Sequence, residues 1–186
     1  MDRLGCAGVL RYRLGPGDGT LSVRTKRTGA AAMAGHDLVI HVTSWEATIE
    51  LGEDTSVVLE ADGSSLRVQE GTGGMQALQD EDLENIRQTI DDEVLMGERI
   101  RFRSTEVRPS ADAGGLHVDG ELTLLGETRP LGFDLAISGD GGLAATAVVK
   151  QTDWGMKPYT GLFGALKVVD EVEVGIEASL PEAQSL

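Results

Sequence analysis

The chain has 186 residues, a single cysteine, and 31 acidic against 16 basic side chains, for a formal charge of −15. Such a field disfavours nucleic acids and anionic membrane surfaces as partners, and a lone thiol, Cys6, excludes an intramolecular disulfide. Length and composition suit one domain over 1–186, with its core over about 10–180.

Only five residues precede Cys6, Asp2 and Arg3 among them, which leaves no room for an apolar signal segment. No run approaches the ~20 apolar residues of a membrane helix, so the sequence predicts a cytoplasmic protein without stable membrane insertion.

Leu10–Leu14 and Leu21–Thr25 alternate apolar and polar residues around a Gly15-Pro-Gly-Asp-Gly19 cluster, which predicts two strands joined as a hairpin. Leu38, Ile40 and Val42 are apolar at even positions, then Trp45, Ala47, Ile49 and Leu51 at odd ones. A phase slip within one long strand predicts a bulge at a barrel corner. Val57, Leu59 and Ala61 continue the pattern, and Asp62-Gly-Ser-Ser65 turns the chain toward Leu66 and Val68.

The period then changes. Leu83, Ile86, Ile90 and Val94 recur three and four apart, predicting one amphipathic helix over about residues 80–96, with Asp80 as its N-cap and Gly97 as its stop. Alternation resumes at Ile100 and Phe102, with Arg99, Arg101 and Arg103 on the other face. A turn at Ala111–Gly115 brings the next strand back antiparallel, so these arginines are read as outer-face partners of Asp119 and Glu121. Three further alternating runs follow, from Leu131, Leu143 and Val172. Between the last two lies Trp154-Gly-Met-Lys-Pro-Tyr-Thr-Gly-Leu-Phe163-Gly, unusually aromatic for a connection. The tail Pro181–Leu186 reads as frayed.

Catalytic and metal signals are weak. His36 and His41 face opposite ways on a regular strand, His117 falls on the solvent face, and a zinc site would need more ligands than these and Cys6 supply. No serine or cysteine occupies a nucleophile-elbow setting. Gly71-Thr-Gly-Gly74 lacks the lysine of a phosphate loop and reads as a turn. The remaining signal is apolar: Ala145 and Ala147 put small side chains on an inward face, and a barrel of about eight strands can hold one ligand. Periodicity alone leaves equally open that the helix or a neighbouring strand fills that space.

Four segments carry a family resemblance: Leu66-Arg-Val-Gln-Glu-Gly-Thr-Gly; Ile100-Arg-Phe-Arg-Ser-Thr-Glu-Val107; Gly120-x-Leu-Thr-Leu-x-Gly-x-Thr-Arg-Pro130; and Asp153-Trp-Gly-Met-Lys-Pro-Tyr159. Their content and order resemble the YceI-like family of bacterial polyisoprenoid-binding proteins. The resemblance implies a mainly β fold, an extended lipocalin-like antiparallel barrel with one inserted helix. It also implies an amphiphilic lipid or isoprenoid held inside, with no catalysis. No cofactor is expected, only a bound isoprenoid, quinone or fatty-acid-like lipid. The family supplies no polar motif that fixes ligand contacts.

The sequence therefore predicts a non-enzymatic carrier. Its expected lining is Trp45, Leu124, Phe133, Ala145 and Ala147, with Trp154, Met156, Tyr159 and Phe163 at the rim. The alternative is an interaction module with a filled barrel that docks partners through the 154–163 loop. A monomer and a homodimer fit the sequence equally.

Overall fold

The computed structural model describes residues 9–111, 114–182 and 184–185. Cys6 and part of the turn at Ala111–Gly115 lie outside them. The strands are β1 (Leu10–Leu14), β2 (Gly19–Thr25), β3 (Arg27–Thr28), β4 (Asp37–Val42), β5 (Trp45–Leu51), β6 (Ser56–Asp62) and β7 (Leu66–Thr72). After helix α1 (Asp80–Thr89) come β8 (Arg99–Pro109), β9 (Gly115–Leu124), β10 (Glu127–Ile137) and β11 (Gly142–Lys150). The chain ends with β12 (Thr160–Gly161), β13 (Leu166–Val168), β14 (Glu171–Ser179) and β15 (Gln184–Ser185).

Twelve strands form one curled antiparallel sheet, ordered β15-β1-β5-β6-β8-β9-β10-β11-β14-β2-β4-β7. The two ends of that order are consecutive pieces of the same three runs. β1 pairs with β5 and β2 with β4, while β5 pairs with β6 and β4 with β7. Each run bends once, at Gly15–Asp18, Thr43–Ser44 and Gly63–Ser65, so the sheet turns a corner and closes on itself. With the two-residue β15 set aside, counting each bent pair as one run gives eight around the barrel.

This overturns the expected β1–β2 hairpin. The Gly-Pro-Gly-Asp cluster does make a turn, closed by the Asp18 amide on the Gly15 carbonyl at 2.9 Å. It carries the strand round a corner instead of reversing it. Turn residues report that extended backbone is interrupted, not where the chain goes next. The phase slip of the 38–51 run falls at this corner: Ile40, Val42, Trp45, Ala47 and Ile49 are all buried. Ser65 stitches it, accepting from the Ser44 amide through its hydroxyl and from Thr43 through its carbonyl.

α1 runs back along β7, from Leu78 packed on Gly71 to Glu98, whose carbonyl accepts from the Gly63 amide. It covers the seam where β7 diverges from β8. The helix is capped by Gln79 and Asp82 in a capping box, one residue earlier than the expected Asp80, and its last turn widens to a π-turn over Ile90–Val94. The β9–β10 hairpin turns through Leu125 and Gly126, both at positive φ, as a two-residue type I′ loop requires.

The arginine row faces out as expected, and Arg103 stands opposite Glu121. However, Arg101 and Arg99 reach Glu60 on β6 (2.8 and 3.7 Å), while Asp119 is held by Arg108. A register shift between Ser104 and Glu106 sets Asp119 opposite Glu106 and within reach of Arg108, away from the arginine row. The tail is not wholly frayed, since Gln184 and Ser185 pair with Arg11 and Leu10.

Candidate functional site: an apolar cavity and its mouth

The inward faces differ in burial along the barrel. Val118, Leu122, Leu124, Leu135 and Trp154 are buried. Elsewhere Val23, Leu38, Leu59, Phe133, Ala145, Val174 and Ile176 point inward yet remain only partly buried. They border a cavity of about 820 Å³, whose wall is almost entirely aliphatic and aromatic. That volume lies in the upper part of the ~300–1,000 Å³ range of small-molecule sites.

The helix does not fill this space. Ile86, Ile90 and Val94 form part of its wall, which answers the question that periodicity left open. On the opposite side Phe102 and Phe133 stack at a tilt, with centroids 5.2 Å apart. Gly120 makes room for this pair, since a Cβ there would stand 2.4 Å from the Phe102 ring. The family-like Gly120-x-Leu-Thr-Leu segment thus has a packing reason for its glycine.

Of the nine residues expected at the site, six line the cavity: Leu124, Phe133, Ala145, Ala147, Met156 and Tyr159. Trp45 and Trp154 lie off the wall, and each is a correction; Phe163 stands on the rim without lining the cavity. Trp45 is buried at the corner, where its carbonyl abuts Gly15. Trp154 is buried and donates its indole N–H to the Leu122 carbonyl at 2.9 Å. Phe163 sits fully exposed at the tip of the β12–β13 connection. Aromatic character was the signal used for all three, and it does not distinguish a wall from a wedge or a tip.

The mouth is marked by wall residues that also reach solvent, among them Ala34, Met75, Gln76, Asp82, Asn85, Tyr159 and Lys167. Three segments converge there. The small sheet β12-β13-β3 forms one lip. The 29–36 turn packs on it through the Ala31 amide, which donates to the Ala165 carbonyl, and through Gly35 against Leu166. The glycine loop 71–79 completes the rim, where a His36 ring nitrogen lies 2.8 Å from the Gln76 carbonyl. Gly73 and Gly74 adopt positive φ and seat the Arg27 guanidinium and the His36 ring. That glycine run is therefore a cradle for protein side chains. The mouth's polar residues were missed from sequence because they share no period.

Beyond the mouth, a latch holds the start of the aromatic loop. The buried Gln151 amide donates to the Val169 and Asp170 carbonyls. The Asp170 carboxylate accepts from the Thr152 hydroxyl and amide, which holds its pKa below the ordinary value. His117 lies on the outer face, 2.8 Å from Asp134. Among the described residues no group of three or more His, Cys, Asp or Glu is arranged to hold a metal ion, and no helix is long and apolar enough to cross a membrane.

A closed antiparallel barrel with a large apolar cavity and a helix across its seam defines a lipocalin-like class of protein. Residues 12–180 match the YceI-like domain, and the chain belongs to that family. Its fold is similar to BcnA of Burkholderia cenocepacia, with a TM-score of 0.61 at 13% identity, covering 86% of this chain and 94% of that one. It is also similar to the YCEI protein of Campylobacter jejuni, with a TM-score of 0.54 at 13% identity, covering 79% and 84%. No curated protein matches the chain.

Proposed function

We propose that this protein is a non-catalytic carrier that holds a long apolar lipid, of isoprenoid, quinone or fatty-acid type, inside its barrel. The observation that carries the reading is the cavity of about 820 Å³ walled by aliphatic and aromatic side chains. Burial of hydrocarbon there stabilises a complex by about 25 cal/mol per Å² with few polar contacts. That α1 and the strands line the cavity rather than fill it supports this reading over a filled barrel.

The test is native mass spectrometry after gentle extraction, followed by titration with a long-chain polyprenol, a quinone and oleic acid. Neither native tryptophan lines the cavity, so the titration reads a Tyr159→Trp variant, which puts the fluorophore at the mouth. The carrier reading expects an extracted mass above that of the chain and saturable emission change with at least one of the three. A protein that carries no lipid and binds none of them sinks it.

A further inference from the structure

We propose that the cavity mouth is a docking surface for a lipid bilayer bearing anionic headgroups, so that cargo passes between membrane and barrel without crossing water. Four large apolar side chains stand exposed on the three segments of the rim: Met33 (79%), Met75 (77%), Leu162 (55%) and Phe163 (112%). Leu162 and Phe163 also hold φ of +48° and +55°, a left-handed backbone that L-residues other than Asn and Asp rarely adopt. A tip that is both strained and apolar costs stability, which points to a use for it outside the fold.

Charge selects the occupant. The chain carries 31 acids, yet none falls within 20–36, 71–79 or 154–169, the loops and strands of the rim; the acid on the cavity wall, Asp82, belongs to α1. Among the described residues six Lys and Arg lack a carboxylate partner, and four of them, Lys26, Arg27, Lys157 and Lys167, lie in these segments. Arg27 is held by the Gly35 and Thr72 carbonyls, which leaves Lys26, Lys157 and Lys167. Exposed apolar tips beside these lysines fit the interface of an anionic bilayer, where the tips enter the acyl boundary and the cations meet phosphate. The net charge of −15 opposes approach at long range. At physiological ionic strength, however, fields fade over about 8 Å, and the lip acts at contact. α1 begins with Asp80 and Glu81, so the side that meets lipid is the β3-β12-β13 lip.

The inference rests on the mouth's surface and needs no cargo, so vesicle flotation of the full chain tests it separately from the carrier reading. Vesicles of phosphatidylcholine mixed with phosphatidylglycerol should float the protein, and phosphatidylcholine alone should float far less. Lys157→Gln and Lys167→Gln should each lower affinity about fivefold. Leu162→Ser/Phe163→Ser should abolish flotation while leaving polyprenol titration intact, which also shows that the variant is folded. Failure of the wild type to float on either vesicle overturns docking, even if polyprenol binds. So does a sedimentation result in which the same double variant splits a dimer without affecting flotation, since that assigns the face to a second copy. A protein that floats but takes up no lipid overturns the carrier reading alone.

Discussion

The two halves of the connection between β11 and β14 look alike in sequence and behave oppositely in the structure. Its first half, Gln151–Met156, is tied down: Gln151, Trp154 and Met156 are buried, and the latch to Val169, Asp170 and Leu122 fixes the backbone. Its second half, Lys157–Gly164, presents Tyr159, Leu162 and Phe163 to solvent. Both halves contain aromatics and glycines. What separates them is whether the side chain has a place in the barrel. Trp154 donates to the Leu122 carbonyl and Met156 packs on the cavity wall, while Phe163 projects from the tip.

The sharpest way to break this contrast is to truncate one aromatic in each half. Trp154→Ala removes a buried indole and its hydrogen bond and should cost about 3–5 kcal/mol in urea titration. Phe163→Ala should change stability by less than about 0.5 kcal/mol, as exposed sites do. Comparable losses at the two positions would erase the distinction between wedge and tip.

A second variant tests the cavity between them. Ala147→Leu extends into the open volume and should be nearly neutral for stability while lowering polyprenol affinity at least tenfold. In a tightly filled interior the same change would cost about 1–3 kcal/mol by overpacking. A strongly destabilised variant that still binds lipid would place the binding volume elsewhere.

Much of the architecture was legible because alternation is a direct image of one buried face. The runs from Leu38, Ile100, Leu131, Leu143 and Val172 all form strands with the inward set predicted for them. The helix stripe was legible for the same reason. The path of β1 and β2 was not, because a Gly-Pro turn looks the same whether it reverses a strand or bends it. At the site, small inward residues such as Ala145 and Ala147 carried usable information, since little side-chain volume leaves space. Trp154 misled because its placement depends on a carbonyl supplied by a distant strand, and Trp45 because it packs into a corner that alternation does not reveal. The mouth was illegible for another reason: Arg27, His36 and Lys167 meet only through the stacking of three separate loops.

A smaller effect sharpens the account of the exposed half. If Phe163 is held at positive φ by the short β12–β13 link, then Phe163→Gly relieves strain that glycine does not feel. The expected gain is up to about 1 kcal/mol, set against the greater freedom glycine brings to the unfolded chain. The measurement is the urea midpoint at constant slope. A loss of stability would mean that the ring packs in solution and is not a free tip.

The smallest effect concerns the latch and depends on pH. The Thr152 hydroxyl, more than any other group, lowers the Asp170 pKa; burial opposes it, and the Thr152 amide adds a lesser lowering. A carboxyl whose pKa is depressed by folding stabilises the native state above its unfolded pKa, about 3.9, and loses that contribution as pH falls through the folded value. Thr152→Val removes the hydroxyl and leaves the amide bond, so at neutral pH it should cost about 0.5–1 kcal/mol. Below the folded pKa Asp170 is protonated in both proteins, and their stability curves should converge there. The convergence is the informative part, because a hydroxyl that mattered only for packing would leave a constant offset between the two curves. Met156 and Tyr159 follow directly on the latch, so the same variant should also loosen polyprenol retention slightly at neutral pH. Retention unchanged alongside a pH-dependent stability loss would show that the wedge half anchors the barrel without positioning the rim.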